Sequence, residues 1–353
     1  MSQTIIERKD IHSTLKLVYD LRITNPKRAI ELIQIVERID PNNIRALGLK
    51  AQCLMNLGNF INAYRVAKRN FELNGSTAST IIFARACIKF KKFDEAIQLL
   101  IETIKRKKYA IFYTILVEIY FKQGEHKLVI KAAMSAIKLE PNASTFIYLA
   151  KSYLATGRFV EAASAAQEAV NMRGGHSDYI TLIRTLRGLG RYQDAILIAR
   201  KLVSISKNNN SLLMNKTLLA ELLRKNKQYE ESITTLDEIE EFLGDRLDHQ
   251  IYIARAYCYI ETVKYKLAFD FFSLAEEIIN LYEITSEYDP RTRIHCGYIF
   301  LFERHKMNQI LIPETLAQKC KNAKVFLSSI NKISTFQTED IEAAFRVIEA
   351  EKI

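Results

Sequence analysis

The sequence contains no tryptophan and only five prolines and eleven glycines in 353 residues. So few chain-breaking residues exclude collagen-like, linker-rich and turn-dense all-β chains, and they suit helices joined by short turns. Cysteine is as scarce. Cys53, Cys87, Cys258, Cys296 and Cys320 make an odd number and form no C-x-x-C, which argues against a disulfide framework or a zinc site and for reduced thiols in a core. No apolar run approaches the roughly 20 residues of a membrane span. The first ten residues end in Glu7, Arg8, Lys9 and Asp10, where an export signal would carry its apolar stretch, so a cytoplasmic protein is expected. The phosphate-cradling, dinucleotide-binding, nucleophile-elbow and zinc-protease signatures are absent. His295 and His305 are ten residues apart, about 15 Å along one straight helix, too far to share a metal. No catalytic residue, cofactor or metal is expected.

What is present is a period. Gly124, Gly157 and Gly190 stand 33 residues apart, and Lys91 and Gly58 extend the ladder upstream. Around Gly157, Phe146, Leu149, Ala150 and Tyr153 fall at i, i+3, i+4 and i+7, and Ala162, Ala166, Ala169 and Val170 at i, i+4, i+7 and i+8. Each set is one apolar stripe of a helix. The glycine between them is a helix stop that tolerates the left-handed conformation. A hairpin this small cannot bury its stripe alone, so copies must stack.

These residues resemble the tetratricopeptide repeat. With the glycine numbered fifteenth, the eighth residue is Ala51, Ala84, Val117, Ala150, Ile183, Ala220 and Ala256, and the twentieth is Ala63, Ala96, Val129, Ala162, Ala195, Ser232 and Ala268. An aromatic follows the turn at Phe60, Phe93, Phe159, Tyr192, Tyr229 and Tyr265, with His126 the exception. The resemblance implies an all-α, right-handed solenoid of about eight helical hairpins. The expected organisation is a polar lead over 1–9, the repeat array over 10–282 and a helical cap over 283–353. Regular repeats begin near Ile44, Thr77, Ala110, Ala143, His176, Leu213 and His249, and Lys207 to Asn210 lengthen one junction. Pro26 and Pro313 open helices, and Thr338 can cap a last one. Gly174 to Asp178 read as a repeat junction.

Charge is uneven. The chain carries +11. Through Leu212 there are 33 Lys+Arg against 17 Asp+Glu, a balance of +16; from Leu213 onward there are 18 against 23, a balance of −5. An anionic partner should therefore meet the first two-thirds. Repeat residues 4, 7, 8 and 11 should pack inward, leaving 2, 5, 9, 12 and 13 on the opposite face, which lines a concave groove in proteins similar to this. There the ninth residues are Gln52, Arg85, Glu118, Lys151, Arg184, Glu221 and Tyr257. The candidate partner-binding residues are the cations Arg85, Lys89, Lys122, Lys151, Arg184 and Arg187, interleaved with Ile81, Phe121, Ile147 and Ile180. The lysine–asparagine pair with which related co-chaperones hold a carboxylate is missing, because the fifth residues are Gly48, Ile81, Thr114, Ile147, Ile180, Thr217 and Ile253. The expected function is a non-enzymatic scaffold or adaptor that binds an acidic or phosphorylated protein segment. The alternatives are a nucleic-acid-binding helical repeat and a regulatory subunit of a multi-enzyme assembly, such as one for polysaccharide synthesis.

Overall fold

The computed structural model describes residues 11–244, 248–281, 291–308 and 310–329, together with 344 and 346. Every regular element among them is a helix: α1 (Ile11–Thr24), α2 (Pro26–Ile39), α3 (Ile44–Asn56), α4 (Phe60–Asn74), α5 (Thr77–Lys89), α6 (Phe93–Arg106), α7 (Ala110–Lys122), α8 (His126–Leu139), α9 (Ala143–Ala155), α10 (Phe159–Met172), α11 (His176–Gly188), α12 (Tyr192–Ser204), α13 (Asn209–Lys225), α14 (Tyr229–Leu243), α15 (His249–Glu261), α16 (Tyr265–Leu281), α17 (Arg291–Met307) and α18 (Glu314–Ser329). The fold is an all-α repeat solenoid, with α1 to α16 alternating as first and second helices. Two compact units result, Met1–Thr185 and Leu186–Ile353, divided inside α11.

The 33-residue ladder is a ladder of identical turns. All seven fifteenth residues have positive φ, including Gly124 at 77° and Gly157 at 73°, and also Lys91 at 61°, Lys227 at 64° and Val263 at 61°. In each turn the amide one residue later donates to the carbonyl five residues back, as from Arg158 to Tyr153 at 2.8 Å and from Lys264 to Tyr259 at 2.9 Å. This Schellman closure satisfies carbonyls that the helix end would leave unpaired. Val263 is the misfit, a β-branched residue in a region that costs L-residues about 1–2 kcal/mol, with its side chain 61% exposed and so little packing to offset that cost. Val263→Gly is expected to raise stability by roughly 0.5–1 kcal/mol once the entropy of the added glycine is subtracted. The urea midpoint measures it, and a lower midpoint would mean that the valine side chain packs.

Small residues sit where the helices meet. Every eighth and every twentieth residue of the seven repeats is buried, none more than 1% exposed. Ser232, in place of alanine, stays buried because its hydroxyl donates to the Ala220 carbonyl at 2.7 Å, so no polar group is left unmatched. The five cysteines are free and buried, and burial pushes the Cys53 thiol up to about 11 and Cys87 to about 12. Such thiols are poor nucleophiles at neutral pH.

The junctions show how sequence becomes helix ends. Asn25 caps α2 by accepting from the Arg28 amide at 3.2 Å, and Pro26 follows as the first helical residue. The asparagine run was expected to lengthen a junction. Instead it lengthens a helix: α13 begins at Asn209, because Asn208 and Ser211 form a reciprocal capping box that satisfies two amides at once. Gly174 to Asp178 is a junction as expected. The Asp178 carboxylate is fully buried, receives Arg173 Nε at 2.9 Å and Nη2 at 2.5 Å, and accepts from the Gly175 amide at 2.9 Å. Burial alone would raise its pKa, but these donors outweigh burial and hold it below the ordinary carboxylate value. A depressed carboxyl contributes stability that is present above its unfolded value near 3.9 and lost as pH falls through the folded one. Asp178→Asn should therefore cost about 1–2 kcal/mol at pH 7, since Arg173 is half exposed and regains water. The difference from wild type should shrink in urea titrations as pH falls below the ordinary carboxylate value of about 3.9; a difference independent of pH would assign the loss to geometry alone.

At the far end, α17 covers the last repeat. Ile294, Tyr298 and Leu301 bury against Tyr257, Phe272 and Ala275 of α15 and α16, and Tyr298 meets the Phe272 ring edge-on at 5.6 Å. Pro313 precedes α18 as expected. Cys296 and Ile299 pack with Cys320, Ala323, Leu327 and Ala344 in a second cluster. The lead over 1–9, residues 283–290 and, apart from Ala344 and Arg346, the helix expected from Thr338 lie outside the described residues.

Candidate functional site

The first unit positions its first helices side by side, α1 against α3, α3 against α5, α5 against α7 and α7 against α9. Because the helices are in register, equal repeat positions line up across them. An open cavity of about 630 Å³ lies over this row. From α5 it is lined by Ile81, Ile82, Arg85, Ile88 and Lys89, and from α3 by Gln52, Met55 and Asn56. Arg22 and Ile23 of α1 close one side, and Glu118 of α7 stands at the other.

Of the residues expected from sequence, Ile81, Arg85 and Lys89 line this cavity together. Arg85 and Lys89 are exposed and Ile81 half-buried. Neither cation has an ion-pair partner among the described residues. Lys122, at the end of α7, and Arg184, on α11, are also exposed and make no ion pair among the described residues, and Ile180 is half-buried. Lys151 is half-buried, and its pKa is pushed down first by burial and then by the like charge of Arg184.

Three of the expected residues are engaged within the chain. Ile147 was expected to offer apolar surface, but it is only 6% exposed, packed with Ala143, Phe146 and Ala169. Phe121 is half-buried and spends its ring on Tyr148 at 5.1 Å and His126 at 5.9 Å, filling the wall between helices. Arg187 belongs to the second unit and lies 3.7 Å from Glu221, so its charge is already answered. In the same unit Arg224 is buried with its guanidinium 5.0 Å from the Tyr257 ring.

Arg22 and Ile23 were missed. They occupy the twelfth and thirteenth positions of the degenerate first repeat, equivalent to Ile88 and Lys89, so the register extended 33 residues upstream identifies them. Arg22 lies over the Tyr19 ring at 3.4 Å. Among the described residues no group of His, Cys, Asp and Glu could hold a metal, and no helix is long and apolar enough to cross a membrane. The cavity sets Arg22, Arg85 and Lys89, with Glu118 at one side, over aliphatic surface from Ile23, Ile81 and Ile82.

Residues 24–103 match the family described as anaphase-promoting complex, cyclosome, subunit 3. No curated protein matches the chain. Among solved structures, PilW, a widely conserved type IV pilus biogenesis factor, aligns over 59% of this chain and 99% of its own at 16% identity, with a TM-score of 0.51. A tetratricopeptide repeat protein from Parabacteroides merdae covers 73% of this chain and 98% of its own at 12% identity and a TM-score of 0.47. A thermophilic one from Thermus thermophilus covers 50% and 98% at 19% and 0.43. At these identities the likeness is one of fold, an all-α solenoid of tetratricopeptide-like helical hairpins.

Proposed function

We propose that this tetratricopeptide-repeat protein is a non-enzymatic, cytoplasmic scaffold that holds an acidic or phosphorylated segment of a partner protein against the first helices of its N-terminal unit. The observation that carries the reading is the cavity over α1, α3, α5 and α7, where Arg22, Arg85 and Lys89 make no ion pair among the described residues and stand beside Ile23, Met55, Ile81 and Ile82. Aliphatic side chains left in a groove favour a partner with side chains to bury, because solvent gains nothing from them. Unanswered cations give that partner its sign. The match of residues 24–103 to a subunit of a large complex agrees with a role in assembly. The helices after 290 act in this reading as the cap of the array over 10–282.

A pull-down at low and at physiological salt, with a nuclease-treated arm in parallel, tests the reading. A protein partner that survives nuclease and is weakened, not abolished, by salt is the expected result, since apolar burial is insensitive to screening. Recovery of nucleic acid, with loss of all binding after nuclease, would replace the scaffold by the nucleic-acid reading.

A further inference from the structure

The row of ninth residues carries a sign pattern rather than a uniform charge. Arg85 and Glu118 face the same cavity, and Lys151 with Arg184 continues the row beyond Glu118. Glu118 is half-buried and makes no ion pair among the described residues, although cations flank it along the row. A carboxylate kept unpaired in a basic groove is unfavourable for a uniformly acidic occupant, because like charges repel across the contact. It becomes favourable if the occupant presents a cation there.

We infer that the groove reads a charge order: a partner segment with an acidic residue against Arg85, a basic residue against Glu118 and a second acidic residue against Lys151 and Arg184. The inference rests on the scaffold reading above and gives the sequence class of the segment. The spacing follows from the packing. Consecutive first helices touch, α5 on α7 and α7 on α9, which places their axes about 8–10 Å apart. An extended chain rises about 3.3 Å per residue, so one repeat corresponds to roughly three residues of an occupant crossing the helices. The segment is then acidic, basic, acidic at i, i+3 and i+6, with aliphatic residues between them for Ile81 and Ile82. This order reads the same in either chain direction.

The test uses three labelled synthetic peptides of equal length and the full chain in fluorescence anisotropy at low salt. The first carries Glu, Lys and Glu at i, i+3 and i+6 with isoleucine and alanine between. The second has the same composition in the order Glu, Glu, Lys, and the third carries three Glu. The first peptide should bind wild type about fivefold more tightly than the second, and more tightly than the third despite its lower net charge. Glu118→Lys should invert the preference so that the third peptide binds best, a charge swap that simple loss of folding cannot produce; circular dichroism confirms that the variant is folded. Binding that follows net charge alone, with the third peptide best on wild type, would overturn the charge order while leaving the basic groove in place. So would equal affinity for the first and second. If none of the three binds, both the order and the groove reading fail.

Discussion

Gly297→Ala is expected to destabilise the C-terminal unit by about 3 kcal/mol, opposite in sign to the usual result. In the interior of a helix, alanine is ordinarily favoured over glycine by about 1 kcal/mol, and Gly297 lies within α17. Here the ring of Phe272 from α16 rests on the α17 backbone, and a Cβ at position 297 would overlap three atoms of that ring. Phe272 cannot yield easily. It is fully buried, with Tyr257 edge-on at 5.3 Å on one side and Tyr298 at 5.6 Å on the other. Overpacking a close-packed core costs about 1–3 kcal/mol and more where backbone must move. The loss should be partly rescued in Gly297→Ala/Phe272→Leu, because two residues in contact are not additive. Urea midpoints of the single and double variants measure it. A stabilised Gly297→Ala would place the ring elsewhere.

Lys151→Glu with Arg184→Glu should weaken partner binding at least tenfold at low salt while leaving the thermal midpoint nearly unchanged. Each cation alone, facing water, contributes only about 0.2–1 kcal/mol, but reversing both replaces two attractions by two repulsions, which also slows encounter with an anionic chain. Folding should be indifferent because neither side chain has an acidic partner among the described residues, and burial together with the neighbouring charge already disfavours the charged form of Lys151. The loss should shrink at physiological salt, where screening acts over roughly 8 Å. Lys105→Glu with Lys108→Glu is the matched control, on exposed residues at and just beyond the end of the second helix α6. Equal losses from both pairs would indicate diffuse attraction of the kind nucleic acid shows. No loss from the groove pair would remove Lys151 and Arg184 from the site.

The groove was partly legible. Arg85, Lys89 and Ile81 follow from the register alone, since repeat positions 5, 9 and 13 share a helix face at 100° per residue. The same arithmetic reaches Arg22 and Ile23 only if a repeat without its glycine is counted, and Asn25 followed by Pro26 obscures that turn. Ile147 shows the opposite failure. It occupies the same repeat position as Ile81, yet one is buried and the other lines a cavity. Helical phase says which way a side chain points, not how closely the next helix approaches. The pairing of Arg187 with Glu221 was hidden for a related reason: the two are 34 residues apart, and no local pattern predicts such a pair.

The sequence by itself determined the repeat, its register and its turns. Those rest on local rules that each 33-residue stretch obeys separately: an apolar stripe every 3.6 residues, a small residue where helices touch, and a left-handed residue closing the first helix. They are strong enough that Lys91, Lys227 and Val263 adopt the glycine conformation without glycine. Tertiary structure alone decided which face positions remain open, which charges are answered, and where a ring may rest on bare backbone, as Phe272 does on Gly297. Each of these depends on the distance between helices far apart in sequence. Side-chain volumes packed across the interface set that distance, and no single repeat contains both sides of it.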